Sequence, residues 1–243
     1  MNSYNKQKAL LSLSNIQKSF SSLKVLEKID LTLYEGELVT ILGPSGCGKS
    51  TIFDIISGII KEDAGEVKVN ASLGYMQQKD LLLPWKSIED NIALPLIIQK
   101  ESEDKISKKL KEYIPIAGLE GFEKHYPDQL SGGMRQRASF LRTLMASEDI
   151  MLLDEAFASL DSITKSKMHE WLLSILSNLG SSILAITHDI DEAILLSDRI
   201  YLLSEKPALV KKEFILDFNQ DNKLERRFSE KTLELKKEIL SLL

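Results

Sequence analysis

Nine residues early in the chain combine glycines, a lysine and hydroxyls in an order suited to binding phosphate. The stretch GPSGCGKST, residues 43–51, follows an apolar run and precedes a helical pattern. Its glycines let the backbone curl until successive N–H groups surround phosphate oxygens, Lys49 adds charge to the β- and γ-phosphates, and Ser50 offers an oxygen to Mg²⁺. An ordinary glycine turn would not need all these features together. We therefore predict a nucleotide site formed by Gly43, Pro44, Ser45, Gly46, Cys47, Gly48, Lys49, Ser50 and Thr51.

Two adjacent carboxylates end a second apolar run, IMLLD at residues 150–154. Asp154 is placed to hold the water shell of Mg²⁺, and Glu155 can accept a proton from the attacking water or orient it. The alternative is that both acids cap the next helix, which fits a chain with a phosphate loop less well. His188 ends the run ILAIT in the same way, and strand ends of a parallel sheet line the ligand crevice. We expect His188 beside the γ-phosphate.

A second candidate phosphate site lies far downstream and has no lysine. In DQLSGGMRQR, residues 128–137, a serine and two glycines stand directly before a helical pattern. A helix start presents free backbone N–H groups and the positive end of the helix dipole. The stretch therefore predicts an anion site at Ser131, Gly132 and Gly133, and raises the question of which phosphate it serves.

The single cysteine and the other two histidines have simpler interpretations. Cys47 lies near a helix N-terminus, so a lowered thiol pKa is one hypothesis, but a reactive cysteine usually needs further positive partners. We expect it to be a small, tolerated loop residue. His125 and His169 are expected to be structural, because one precedes a loop proline and the other sits in an amphipathic helix.

Composition excludes several classes of protein. The net charge of −5 argues against a general nucleic-acid binder, whose surface would be basic, and one cysteine fits a reducing compartment. The start, MNSYNKQKALLSLSN, lacks the apolar core of a signal peptide. No apolar run approaches the ~20 residues that a membrane helix needs. We expect a cytosolic protein whose membrane association, if any, goes through a partner.

The periodicity of apolar residues predicts an α/β fold. Short apolar runs broken by glycine or polar residues are typical of strands in the first third, and IMLLD and ILAIT are expected to be parallel strands buried on both faces. The character changes after Pro84: Ser87 opens a helical pattern with Asp90 at capping-box spacing, and a second pattern puts four residues on one face, namely Ile106, Leu110, Tyr113 and Ile114. RIYLLSE and LVKKEFILDF suggest an edge hairpin, and the tail a charged amphipathic helix.

These motifs occur in the order and approximate spacing of an ATP-binding cassette (ABC) ATPase, which the chain resembles from about residue 10 to 215. The resemblance implies a P-loop NTPase (RecA-like) fold: a mostly parallel sheet with an antiparallel β edge and an inserted α-helical subdomain. It implies one domain, with a core at about 8–84 and 146–218, a helical subdomain at about 85–145 and a short helical tail at 219–243.

The resemblance also assigns further site residues. Phe20 matches the aromatic residue that stacks on adenine, and Gln78 matches the glutamine that senses Mg²⁺ and water, with Gln77 as the weaker alternative. Ser131, Gly132 and Gly133 match the signature loop. Asp161 matches a loop that crosses the dimer interface, and His188 the switch histidine.

In this family two cassettes face head to tail and trap two ATP molecules. The signature loop of one subunit closes on the ATP held by the P-loop of the other, which explains why it carries no lysine of its own. Two departures stand out: Ala156 replaces the proline that commonly follows the catalytic glutamate, and Phe20 stands where tyrosine or tryptophan is frequent. We expect activity and stacking to persist.

Three kinds of ABC protein are compatible with the motifs: an importer subunit, a soluble ABC protein of translation or DNA repair, and a regulator without turnover. Soluble types usually have two cassettes or long coiled-coil insertions, and a regulator would lack Glu155 or His188. The importer subunit is therefore expected, at the cytoplasmic face of the membrane, with an integral permease and, indirectly, an external or periplasmic solute-binding protein. The loop LLLPWKSIEDNIALPL resembles the subgroup for nitrate, sulfonate, taurine and thiamine-precursor pyrimidine uptake.

Overall fold

The computed structural model describes residues 8–218 and 223–243, without the side chains of 176–179. Residues 219–222, at the start of the predicted tail, lie outside the described part. The chain forms two compact units. The first unit comprises the residues up to Ser72 and Ser181–Leu243, and the second unit is Leu73–Gly180.

Strands and helices follow the predicted pattern closely. In the described residues the strands are β1 (Ala9–Phe20), β2 (Leu23–Tyr34), β3 (Leu38–Leu42), β4 (Ala64–Val69), β5 (Leu73–Met76), β6 (Ile150–Asp154), β7 (Ser182–Thr187), β8 (Arg199–Leu203) and β9 (Ala208–Ile215). The α-helices are α1 (Lys49–Ile56), α2 (Ile88–Ile98), α3 (Glu103–Ile116), α4 (Gly132–Ala146), α5 (Ser162–Leu179), α6 (Ile190–Leu196) and α7 (Glu230–Leu242). Short 3-10 helices cover Pro127–Gln129 and Lys223–Phe228.

The first unit contains a mixed sheet. Its strands lie in the order β4-β1-β2-β9-β8-β3-β7. β1 pairs antiparallel with β2 and β4, β8 pairs antiparallel with β9, and β3 lies parallel between β7 and β8. The predicted antiparallel edge is confirmed at β4, β1 and β2. The predicted hairpin of β8 and β9 is present, but its predicted place at an edge is wrong, because β9 also pairs in parallel with β2 and β8 with β3.

Burial explains why the strand patterns differ. Every residue of β3, β7 and β8 is buried, which is why these strands read as continuous apolar runs, whereas β2 alternates buried and more exposed residues along much of its length. At the end of the unit, α7 buries Ile239 in a cluster with Leu42, Ile194 and Phe214. The predicted tail helix is therefore present and contributes to the core of this unit.

The second unit pairs β5 and β6 in parallel and places α2, α3 and α4 between them in the chain. Serine caps start each of these helices, because the hydroxyls of Ser87, Ser102 and Ser131 accept from the backbone N–H three residues on, as N-caps do. α4 begins at Gly132, so the two glycines form its first turn instead of preceding it. The unit also contains α5, and the boundaries 85–145 for a helical subdomain stay a prediction.

Candidate nucleotide-binding and hydrolysis site

The predicted phosphate loop connects β3 to α1 in the first unit. Gly48 caps α1 with φ = 122°, in the region that favours glycine. A Cβ at this position would lie 2.9 Å from both Val25 Cγ1 and Leu26 Cδ2. The turn therefore requires glycine for its backbone angle and for space. Ser45, Gly46 and Ser50 are exposed on the loop.

Lys49 lies within the loop that it closes. Its ammonium donates to the carbonyl oxygens of Gly43 and Pro44, both at 2.8 Å, and the residue is only 5% exposed. All of α1 is described, and its first turn contains no acidic residue to balance the positive end of the helix dipole. A buried cation and an uncompensated helix start together favour an anion, and phosphate is one that such loops bind.

Cys47 is a buried residue of the loop, 2% exposed. Burial raises the pKa of its thiol, and the lowering effect of nearby Lys49 is smaller. The hypothesis of a low-pKa thiol is therefore wrong, because desolvation of the thiolate outweighs its attraction to the lysine. The simpler interpretation as a small loop residue agrees with the structure.

The first unit brings His188 to the same sheet edge as the loop. β3 and β7 are parallel neighbours with Leu42 opposite Thr187, so Gly43 and His188 leave the sheet side by side. His188 is exposed and stands directly before Asp189, which caps α6. This placement is what a residue sensing a phosphate in the loop requires.

Phe20 ends β1 in the first unit. It is 47% exposed, and the Lys18 ammonium lies 5.6 Å from the centre of its ring. Lys18 is held in turn by Asp63, with the Nζ–Oδ1 distance at 2.7 Å. An exposed ring of this kind leaves a face on which a planar base can stack.

In the second unit, the parallel strands β5 and β6 place two side-chain pairs at their carboxyl ends. Asp154 is 7% exposed and accepts a hydrogen bond from the Tyr75 hydroxyl at 3.3 Å. Gln78 Nε2 donates to Glu155 Oε2 at 3.2 Å. This contact favours Gln78 over Gln77 as the glutamine of the site.

Glu155 adopts a left-handed backbone conformation with φ = 45°, which is uncommon for a residue with a side chain. Such strain is concentrated at functional sites. A residue before proline is driven toward extended angles. Ala156 in place of proline is therefore compatible with the conformation that Glu155 adopts.

The signature loop and the loop of Asp161 are adjacent in the second unit. A Cβ on Gly133 would lie 2.9 Å from Thr164 Cγ2, in the first turn of α5. Asp161 caps α5 by accepting from the N–H groups of Ile163 and Thr164, both at 3.1 Å, and hydrogen bonds from Thr164 hold the pKa of its carboxyl below its usual value. The fully described α4 has no acid in its first turn, so its N-terminus is open to an anion.

Both remaining histidines are packed against aromatic rings. The His125 ring lies 5.1 Å from Phe122, and the His169 ring lies 5.4 Å from Phe157 in an edge-on arrangement. These contacts agree with the expected structural roles.

Known proteins match this chain over nearly its whole length. The family model for ABC transporters matches residues 26–158. The chain is 41% identical to the formylaminopyrimidine import ATP-binding protein ThiZ of Halalkalibacterium halodurans, with 97% of each chain covered. It is 38% identical to the aliphatic sulfonates import ATP-binding protein SsuB of Bacillus cereus, covering 95% of this chain and 94% of SsuB. The solved dimeric structure of MJ0796, a bacterial ABC transporter cassette, is 31% identical with a TM-score of 0.73, covering 86% of this chain and 99% of MJ0796. This chain belongs to the ABC transporter family.

As an ABC protein, the chain binds and hydrolyses ATP, and the predicted P-loop NTPase fold is confirmed. The similarity to pyrimidine and sulfonate import subunits confirms the predicted resemblance to that subgroup. In the described residues, none of this ABC protein's helices combines the length and apolarity needed to span a bilayer.

Sequence reasoning missed the residues that fasten the loop after Gln78. Asn91, in α2 and 0% exposed, accepts from Leu83 N at 2.7 Å and donates to the carbonyl oxygens of Leu83, Lys86 and Ser87. The signal that the sequence offered for this role was the position of Asn91, directly after two acidic residues in the first turn of a helix.

The same loop of the ABC protein is held from its other side by α4. Arg142 donates to the carbonyl oxygens of Asp80 and Leu81, at 2.5 and 2.7 Å, and Ser139 donates to the Asp80 carbonyl. Arg135 donates to the Asp80 carboxylate at 3.2 Å. The loop that carries Gln78 is thus bonded both to α2 and to the helix that begins at the signature loop.

Proposed function

We propose that this ABC protein is the ATP-hydrolysing subunit of an import system, in which Mg·ATP closes a pair of cassettes and hydrolysis reopens it. One observation carries the proposal: the chain has a lysine-bearing phosphate loop in one unit and, in the other, the lysine-free helix start at Ser131. Two phosphate sites of unequal chemistry in one chain are explained when each ATP is shared by two cassettes. The dimeric state given for MJ0796 supports this pairing.

Each site residue takes a role in this proposal. Phosphates of ATP are bound by the loop of 43–51 and its Lys49, and adenine stacks on Phe20. Glu155 orients the attacking water and accepts its proton, and His188 contacts the γ-phosphate. The partner's ATP is contacted by Ser131, Gly132, Gly133 and Asp161.

Mg²⁺ is assigned to Ser50, Gln78 and Asp154. These residues offer only oxygen ligands, a hydroxyl, an amide carbonyl and a carboxylate, which is the ligand chemistry that Mg²⁺ prefers. The ion would supply charge neutralisation of the β- and γ-phosphates. The buried Asp154 carboxylate, bonded to Tyr75, fits this assignment.

Coupling to a separate membrane permease is the second part of the proposal. ThiZ and SsuB are import ATP-binding proteins, and this chain aligns with nearly all of each. The double attachment of the loop after Gln78 supports a mechanical link from α2 to the catalytic glutamate. The protein then works at the cytoplasmic face of the membrane, together with an external solute-binding protein that delivers a sulfonate, taurine, nitrate or pyrimidine-type solute. No nucleic acid takes part.

Affinity purification from the parent cell tests the proposal. The tagged protein is extracted from membranes in mild detergent, and co-purifying proteins are identified by mass spectrometry. We expect a permease with several membrane spans in roughly equal amount. Recovery only in the soluble fraction, with ribosomes or DNA, would favour the alternative, a soluble ABC ATPase that is not coupled to transport.

A further inference from the structure

The short helix α6 fixes the direction in which His188 leaves the sheet. His188 is the single residue between the end of β7 and Asp189, the N-cap of α6. The Asp189 carboxylate accepts from Glu192 N at 3.1 Å, and the Asp189 N–H donates to Thr187 Oγ1 at 3.1 Å. Because β7 is buried along its whole length, one end of this connection is fixed by the sheet. The position of the His188 backbone therefore depends on where α6 lies.

α6 is too short to hold that position by itself. It spans seven residues, Ile190–Leu196, and helices shorter than ~12–15 residues are marginal in water without tertiary contacts. All of α6 is described, and its last turn contains no basic residue to balance the negative end of the helix dipole. Its support therefore comes from other parts of the first unit.

The C-terminal segment, which we define as residues 223–243, supplies cations at the end of α6. Lys223 Nζ donates to the Leu196 carbonyl oxygen at 2.8 Å, and the Arg226 guanidinium donates to the Ser197 carbonyl oxygen. Arg226 is only 5% exposed, and a hydrogen bond from a charged donor is stronger than one between neutral groups. The two side chains therefore satisfy carbonyl groups that the helix leaves without partners at its end.

The same segment reaches the first turn of α6 through α7. Lys236 Nζ lies 2.7 Å from Asp191 Oδ1 and 2.6 Å from its Oδ2, so both carboxylate oxygens accept from the lysine. Between the two ends, Ile239 of α7 belongs to one buried cluster with Ala193 and Ile194 of α6. The C-terminal segment thus holds α6 at both ends and packs against its middle.

We propose that the C-terminal segment positions His188 for ATP hydrolysis by holding α6, and that Arg226 and Lys236 are its positioning residues. The inference rests on the proposed contact of His188 with the γ-phosphate, and it adds the residues that keep this side chain in place. A misplacement of about 1 Å at a catalytic centre can lower a rate about 100-fold. Both residues act through α6 and not on the nucleotide.

Adjacent lysines of α7 provide a matched pair of variants. Lys236 pairs with Asp191, whereas Lys237 is exposed and has no ion pair in the described part of the chain. Lys236→Ala and Lys237→Ala remove the same atoms and the same charge from one helix, so effects on helix propensity and net charge are equal. Lys236→Arg keeps a cation beside Asp191 and serves as the rescue. Arg226→Met removes the buried cation at the other end of α6.

Turnover and nucleotide binding are measured separately. At saturating Mg·ATP we expect kcat to fall about 2- to 5-fold in Lys236→Ala and about 10- to 100-fold in Arg226→Met. Lys237→Ala and Lys236→Arg should stay within about 1.5-fold of wild type. The Kd for Mg·ATP should change less than about twofold in every variant, because the misplaced histidine acts on the transition state.

Nuclear magnetic resonance of labelled histidine distinguishes the positioning of His188 from a general loss of structure. The chain has three histidines, and His125 and His169 lie in the second unit. The imidazole C–H signals are recorded for each variant, and His188→Gln assigns the signal of interest. We expect Lys236→Ala and Arg226→Met to shift or broaden the His188 signals and to leave those of the other two histidines in place. If Arg226→Met does not fold, Lys236→Ala still decides the question.

The outcomes separate this inference from the proposed function. Wild-type turnover in His188→Ala would overturn the role proposed for His188 itself. If His188→Ala is inactive but Lys236→Ala matches Lys237→Ala in kcat and in the His188 signals, the role of His188 stands and its positioning by the C-terminal segment is refuted. A fall in kcat without a selective change in the His188 signals would indicate a general structural contribution and would also refute the inference.

Discussion

Replacing Glu155 by glutamine removes the proposed proton acceptor and little else. Gln78 Nε2 donates to Glu155 Oε2 at 3.2 Å, and a glutamine at 155 keeps an oxygen that can accept this bond. Side-chain length and the Ala156 neighbour are also unchanged, so the backbone has no new reason to leave φ = 45°. General base catalysis contributes about 10²- to 10⁴-fold, or roughly 3–5 kcal/mol of barrier. We expect kcat to fall by that factor while affinity for Mg·ATP changes less than about threefold, as expected when only transition-state interactions are lost.

The assay combines phosphate release at saturating Mg·ATP, binding of a fluorescent ATP analogue, and gel filtration with ATP present. The variant should elute as an ATP-bound dimer, because closure proceeds and reopening is blocked. Glu112→Gln, an exposed glutamate on α3, is the matched control and should behave as wild type. Wild-type turnover in Glu155→Gln would refute the assignment of the base.

Three further predictions concern the loops that support the site. Asn91→Ala should lower the free energy of unfolding by about 2–4 kcal/mol, since four hydrogen bonds of about 1 kcal/mol each are lost, and urea titration showing less than about 1 kcal/mol would contradict this. Gly48→Ala should abolish Mg·ATP binding in calorimetry, because its Cβ would meet neighbours at 2.9 Å, whereas Gly58→Ala, with positive φ but open space, should bind normally. Cys47 should react slowly with a disulfide reagent near pH 7 and rapidly after unfolding, because burial raises its thiol pKa. The thiol's contribution to the free energy of unfolding is complete below the pKa of the unfolded thiol and is lost as the pH rises through the folded pKa. Rapid reaction of the native protein would contradict a buried thiol with a raised pKa.

Local chemistry explains why much of the fold could be predicted from sequence. The strands β3, β6, β7 and β8 are buried along their whole length, and this environment leaves a continuous apolar run in the chain. Helix starts are equally local, because Ser87, Ser131 and Asp161 bond to N–H groups two or three residues away. The phosphate loop carries its own glycines and lysine, so its residues were visible without any tertiary contact.

Contacts between residues distant in the chain could not be predicted in this way. The family resemblance already favoured Gln78 over Gln77, but the hydrogen bond from Gln78 Nε2 to Glu155, 77 residues away, is visible only in the tertiary structure. The thiol of Cys47 sits beside Lys49 in sequence, yet burial, which depends on the surrounding core, decides the direction of its pKa shift.

Amino-acid sequence by itself therefore determined the elements, the phosphate loop and the family, because each depends on patterns within a few residues. Tertiary structure alone decided how the Gln78 loop is fastened to α2 and α4. The physical reason is distance along the chain. Hydrogen bonds act between neighbours in space, and residues such as Asp80 and Arg142 become neighbours only when α4 packs against the loop.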